Sequence, residues 1–141
     1  MPLSRLLYVS RCALTSEGDE RNAEVRQIAE ASARRNDAAA LTGSLLHVGE
    51  TFVQVLEGPS PEVERVFEAI CCDFRHDDIK LIDLVPIKER LFPEWSMALL
   101  SSEMETRVPL SEHMEEIHFL AGINAREAVN QMRRLLDEVR P

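Results

Sequence analysis

The chain has 141 residues, 45% of them hydrophobic and 29% charged, with a formal net charge of −9 and a pI near 4.9. That is the size of one domain able to bury a full core, and its acidic balance argues against tight phosphate-backbone binding, which requires clustered Lys and Arg to displace counterions. No internal repeat or low-complexity segment is visible, and no run approaches the ~18 apolar residues of a membrane-spanning helix. Three cysteines, with Cys71 and Cys72 adjacent, and an N-terminus without a secretory pattern exclude a disulfide framework. The chain therefore reads as a compact cytoplasmic protein that engages neither nucleic acid nor membrane directly.

In chain order, “RLLYVS” (5 to 10) is apolar on both alternating faces, as expected of a strand covered on both sides, with Tyr8 and Leu6 sharing one face. Residues 20 to 36 place Val25, Ile28, Ala29 and Ser32 at helical spacing, and Asn36 falls at the C-terminal end of that stripe. “LTGSLLHV” and “TFVQVL” are separated only by Gly49-Glu50, a two-residue loop with Gly first that signals a type II′ hairpin. Pairing Val48 with Thr51 puts Gly43, Leu45, His47, Phe52, Gln54 and Leu56 on one face, and Leu46, Val48, Val53 and Val55 on the other.

A second helix is expected from “PSPEVERVFEAICCDF”, with Ser60 as N-cap, Pro61 at its first position and Val63, Val66, Phe67, Ile70 and Phe74 on its buried face. Cys71 and Cys72 are placed near that buried side as inert packing residues. Asp73 and Arg75 close the helix. Two strands follow, “KLIDLVPI” (80 to 87) and “WSMALL” (95 to 100), the latter with Trp95, Met97 and Leu99 on one face. Helices are then expected over roughly 110 to 121 and 124 to 139, the second opened by Asn124 with Glu127 in capping-box style. Its stripe of Ala125, Ala128, Val129, Met132, Leu136 and Val139 needs a partner, within the chain or across a dimer. The Arg126, Arg133, Arg134 group reads as a solvated helix face.

This order predicts a ferredoxin-like α+β fold. Two helices cover one face of a five-stranded mixed sheet, and two C-terminal helices cover the other. Residues 1–100 form the main domain and 101–141 a helical extension. The first and third strands lie side by side, which would bring Tyr8 beside Gln54 if both side chains point to the helical face. A buried glutamine amide must find hydrogen-bond partners, so Gln54 asks for a phenol, a ligand or both. Taken one at a time, Gln54 and Tyr8 read as satisfied core residues, Trp95 and Met97 as core and Asn36 as a helix C-cap. His113 and His118 are five apart, off the helical metal-pair spacing, and His47 and His76 lie on different elements, so no metal site is expected.

Within residues 5 to about 100, “LLYVS”, “RNDAAALTGSLL”, “FVQVLEG”, “CDFRH” and “RLFPEWSM” together resemble the BLUF family of blue-light photoreceptors that use flavin. The resemblance implies that Tyr8 is the photoactive tyrosine, Gln54 the switching glutamine, and Asn36 a hydrogen-bond partner of the isoalloxazine ring. It makes Trp95 and Met97 the pair whose positions relative to the flavin differ among family structures, and puts Asp73 and Arg75 near the ribityl chain and ring edge. FAD is the implied cofactor, with FMN as an alternative. Electron and proton loss from Tyr8 would then switch the Gln54 hydrogen bonds, by rotation or tautomerisation, and red-shift the flavin spectrum.

The signal is expected to leave through the Trp95/Met97 strand and the C-terminal helices to a downstream protein, from a homo-oligomer. A chain ending at Pro141 is expected to carry no cyclase or phosphodiesterase, and no enzyme activity. Three positions depart from or vary within the family pattern: Ala40 where glycine is common before “LTG”, His47 where an aromatic ends the strand, and Arg35 before Asn36. The competing readings are a small ferredoxin-like hydrolase or flavin reductase using the same cleft, and a light-independent interaction module.

Overall fold

Successive side chains of a strand point to opposite faces of its sheet, and here both faces are covered. In chain order, the computed structural model contains β1 (Leu3–Cys12), α1 (Gly18–Ala38), β2 (Thr42–Val48), β3 (Thr51–Pro59), α2 (Ser60–Cys71), β4 (His76–Ile87), β5 (Ala98–Ser101), α3 (Leu110–Ala121) and α4 (Ala125–Val139). It describes residues 2–73, 75–101 and 110–139. The sheet order is β4-β1-β3-β2-β5, antiparallel except for the parallel β2–β5 pair. This is the expected ferredoxin-like mixed sheet, with β1 and β3 adjacent.

The hairpin register is the one its two-residue loop dictates: Val48 pairs with Thr51, His47 with Phe52 and Leu45 with Gln54. Its positive φ, 58°, falls on Gly49. The two faces separate as the period of two requires. Leu6, Tyr8 and Leu56 pack with Val63, Val66 and Ile70 of α2, while Leu45 and Phe52 pack with Val25 and Ala29 of α1. Leu7, Leu46, Val53 and Val55 face the opposite way, against Met114 and Ile117 of α3 and Ala128, Val129, Met132 and Leu136 of α4. The stripe of α4 thus finds its partner within the chain. Asn124 opens α4 by accepting the Glu127 N–H at 3.2 Å, whereas the Glu127 carboxylate turns to Gln131 and Arg134. Only half of the capping box forms.

Several expectations are corrected. Ser60 is the first residue of α2, not its cap. Its hydroxyl lies 2.6 Å from Ser4 Oγ and ties the helix start to β1. The strand over 95 to 100 shrinks to Ala98–Ser101, because the Trp95 N–H turns back to the Phe92 carbonyl and the Ser96 carbonyl is taken by the Asn36 side chain. Trp95, Met97 and Leu99 therefore do not share a face: Trp95 packs into the α3/α4 core, and Met97 and Leu99 into the other. β4 begins at His76, earlier than its apolar run, with register shifts opposite Leu7/Tyr8 and Val9/Arg11 and Asp78 at φ 50°. Cys71 and Cys72 are exposed, since they follow Ile70 round the helix away from the Val63/Val66/Ile70 face. Arg133 is not part of a solvated face, as described below. Phe74 lies outside the described residues.

The α1–β2 junction is tight. Ala40 stands at φ 58°, a left-handed conformation that costs an alanine roughly 1–2 kcal/mol and a glycine almost nothing. At Gly43 a Cβ would lie 1.9 Å from the Val55 carbonyl oxygen, so glycine is required there. Among the described residues no helix is long and apolar enough to cross a membrane.

Candidate functional site

Tyr8 and Gln54 are direct partners in the β1–β3 register. Both are buried on the α1/α2 side. The Tyr8 hydroxyl donates to Gln54 Oε1, and Gln54 Nε2 donates to Met97 Sδ at 3.7 Å. A thioether is a weak acceptor. The amide is therefore held firmly at its oxygen and lightly at its nitrogen, which leaves it free to re-partner. Burial pushes the Tyr8 phenol well above its ordinary value; the Arg35 charge pulls it back, and Asp73 adds to the rise. Tyr8 is thus a neutral hydrogen-bond donor at any physiological pH.

Beside this pair lies a narrow cleft whose cavity volume, about 20 Å³, is room for a single water molecule, so a larger ligand would have to part its walls. Ile28, Ser32 and Arg35 of α1 form one wall, and Leu45, Phe52 and Gln54 the sheet floor. Ile70, Asp73, Arg75 and His76, with Tyr8, close the other end. Asp73 and Arg75 pair through Arg75 Nε at 2.9 and 3.1 Å from the two carboxylate oxygens. Hydrogen bonding from Arg75 holds the Asp73 carboxyl below its usual range. His76 bridges two elements, with Nε2 2.9 Å from the Ile70 carbonyl and Nδ1 2.8 Å from Ser10 Oγ. A carbonyl can only accept, so Nε2 carries the proton and, in the neutral ring, Nδ1 accepts from Ser10. The imidazole stands edge-on to both Tyr8 and Phe52.

Of the residues expected at the site, Tyr8, Gln54, Asp73 and Arg75 line the cleft. Asn36 lies one turn beyond Ser32, fully buried. Its Nδ2 donates to the Ser96 carbonyl at 2.9 Å, and its Oδ1 has no hydrogen-bond partner. Met97 reaches the site through Gln54. Trp95 does not: its ring packs in the α3/α4 core, with the Arg133 guanidinium 4.9 Å from its centroid. His47 lies against Phe52 in a tilted ring contact, centroids 5.2 Å apart, and is not among the cleft-lining residues.

Sequence reasoning does not single out His76, Phe52 or Arg35 as site residues. Phe52 is two residues from Gln54 on the same face, and Arg35 immediately precedes Asn36, so spacing could have suggested both. His76 carries no such signal, because the bulged start of β4 is what aims it. Glu57 is also missed. It is fully buried on the α3/α4 side, where its carboxylate accepts from Arg5 Nε at 2.8 Å and from the backbone N–H groups of Leu91 and Phe92 at 3.0 and 2.8 Å. A carboxylate alternating with Val53 and Val55 on a buried strand was the available signal.

Residues 3–98 match the family described as “BLUF: Sensors of blue-light using FAD”. The chain is 33% identical over 117 residues to the photoactivated adenylate cyclase subunit beta of Euglena gracilis, covering 82% of this chain and 13% of that protein. It is 34% identical over 107 residues to the blue light- and temperature-regulated antirepressor BluF of Escherichia coli K12, covering 74% of this chain and 25% of that one. It thus spans only a small part of the curated relatives it matches. Among solved structures, the dark state of BlrB, a BLUF protein, matches with a TM-score of 0.78 at 34% identity over 96% of this chain and 95% of that one. The photo-activated state of BlsA matches at 0.76 and 25% identity, over 93% and 94%.

Proposed function

Since the chain belongs to the BLUF family of blue-light sensors, we propose that it holds FAD in the cleft beside Tyr8 and Gln54 and that this pair is its light-responsive element. The observation that carries the reading is the buried chain from the Tyr8 hydroxyl to the Gln54 amide to Met97 Sδ at the edge of that cleft. The residues present suit a flavin. Arg35 Nε and Asn36 Oδ1 are a buried donor and a buried acceptor without hydrogen-bond partners, and such orphaned groups call for a ligand or another explanation. An isoalloxazine offers both carbonyl acceptors and a ring N–H donor.

Bound flavin supplies a strong one-electron oxidant under blue light. The protein's part is to direct what leaves Tyr8. The phenol proton already points along the bond to Gln54 Oε1, so oxidation of the ring sends it to the amide. A protonated or turned amide no longer accepts from Tyr8 in the same way, and its nitrogen leaves Met97 at little cost because that contact is weak. His76, fixed by Ser10 and Ile70, and Phe67, 5.6 Å from the Tyr8 ring, keep the phenol in place while this happens.

We read residues 1–100 as the sensor domain, itself without catalytic activity, and 101–141 as the output extension. Phe119 and Ile123, exposed at the α3–α4 turn, favour output by protein contact, to a downstream protein or a second copy of the chain in the cytoplasm.

The test is spectroscopic. Protein purified with FAD should be yellow, and blue light should red-shift its absorption reversibly. Tyr8→Phe should retain the flavin and lose the shift. A Tyr8→Phe variant with the parent's photocycle would overturn the tyrosine's role, and failure to take up either FAD or FMN would favour the light-independent interaction module.

A further inference from the structure

The segment from Leu91 to Met97 connects the two sides of the sheet. At its end, Met97 touches Gln54. At its start it is gripped on the α3/α4 side by two side chains. Glu57 accepts the Leu91 and Phe92 N–H groups, and Phe92 is fully buried in that core. Arg133, on α4, does the rest. Its Nη1 donates to the Leu91 carbonyl at 3.0 Å, its Nη2 is 3.6 Å from Glu94 Oε1, and its guanidinium carbon stands over the Trp95 ring. Asp137, one turn along α4, holds the same guanidinium at 3.2 Å, so the arm is set from its own helix.

Three features make this more than a surface ion pair. The Arg133 side chain is only a quarter exposed, it meets a backbone carbonyl, an aromatic face and a carboxylate at once, and all three lie within Leu91–Trp95. A planar guanidinium can serve these together; an ammonium cannot. An unbroken strand would put Trp95 on the same side as Met97; Asn36 on the Ser96 carbonyl and the Gly43 N–H on the Trp95 carbonyl hold the break from the sheet, and Arg133 holds it from α4.

We propose that Arg133 is a positioning residue: through it α4 sets the path of residues 91–97, and so the seating of Met97 against Gln54. Coupling between two sites is reciprocal. A ligand or partner that draws Arg133 away from the segment alters the surroundings of Gln54, and a change at Gln54 loosens the grip of Arg133. The inference extends the reading of Tyr8 and Gln54 as the responsive pair; the structural half of its test does not depend on that reading.

Trp95 is the chain's single tryptophan, so its fluorescence reports on this segment alone. The experiment compares the parent with Arg133→Met, Arg133→Lys and Arg134→Met. Arg134 is the control: it has the same charge and helix, but its guanidinium pairs with Glu127 on its own helix. With one charge-assisted hydrogen bond and the ring contact gone, Arg133→Met should raise amide exchange across residues 88–97 about tenfold and iodide quenching of Trp95 about twofold in the dark, with or without flavin. It should also change the dark recovery rate of the flavin absorption several-fold, a readout that local loosening alone would not move. Arg133→Lys should fall between Arg133→Met and the parent, and Arg134→Met should match the parent.

The proposal is overturned if Arg133→Met, folded by circular dichroism, keeps the parent's exchange and quenching, or if Arg134→Met changes them equally. It is overturned too if exchange and quenching rise while recovery stays at the parent's rate. Should Arg133→Met fail to fold, the same criteria apply to Arg133→Lys. A parent protein with no light response at all would defeat the functional reading, and exchange and quenching would still decide whether Arg133 holds the segment.

Discussion

The two faces of the sheet are built on opposite terms. On the α3/α4 face, Leu46, Val53 and Val55 meet Ala128, Met132 and Leu136 in an apolar core, and the buried carboxylate there, Glu57, is met by Arg5 and two backbone N–H groups. On the α1/α2 face, apolar packing is interrupted by Tyr8, Gln54, Ser32, Arg35 and His76 around a cleft, and two buried polar atoms of Arg35 and Asn36 lack partners. A fold gains nothing by keeping such groups unmet. The first face is built for stability. The second leaves buried polar groups unmet at a cost in stability, which is the observation behind the proposed flavin site.

This contrast can be broken most directly at Glu57. Glu57→Ala should cost about 2–4 kcal/mol, because it leaves the partly buried Arg5 charge and two backbone donors without their acceptor; the urea midpoint measures it, and a loss under 1 kcal/mol would mean that the α3/α4 face is less demanding than its geometry indicates. An intermediate effect is expected where both layers meet, at the α1–β2 junction. Ala40→Gly removes the left-handed strain and should stabilise by about 1 kcal/mol, a rise of roughly 2–4 °C in Tm.

The smallest stability effect should come from Tyr8 and Gln54, the pair proposed to carry the response. The pair Tyr8→Phe and Gln54→Leu removes hydroxyl and amide together, leaving neither orphaned. Without flavin the double variant should lie within about 1 kcal/mol of the parent, while its light-induced spectral shift disappears. A large loss of stability in the flavin-free protein would show that this hydrogen bond supports the fold as well, and would sharpen the contrast into one of degree.

Much of this was legible along the chain. Period-two alternation around a two-residue loop fixes which face each of Leu45, Phe52, Gln54, Leu46 and Val53 takes, and the helical stripe ending in Asn36 points to the same face. The quoted motifs then identify the family. What was not legible involves residues whose position depends on distant groups. Trp95 leaves the face of Met97 because Phe92, Asn36 and Gly43 claim the backbone around it. His76 enters the cleft because β4 is bulged. Arg133, read as one of a solvated trio, is captured by a loop some forty residues earlier.

The sequence by itself determined the strand faces, the register of the hairpin and the amphipathic helices, because these follow from repeat periods and short loops, which are local properties; the Tyr8–Gln54 pairing followed from the strand order those elements imply. Only the tertiary structure decided which side chains satisfy Glu57, where Trp95 goes and what Arg133 holds. Those outcomes depend on buried hydrogen-bonding groups finding partners across the fold, and no local pattern records which partner is within reach.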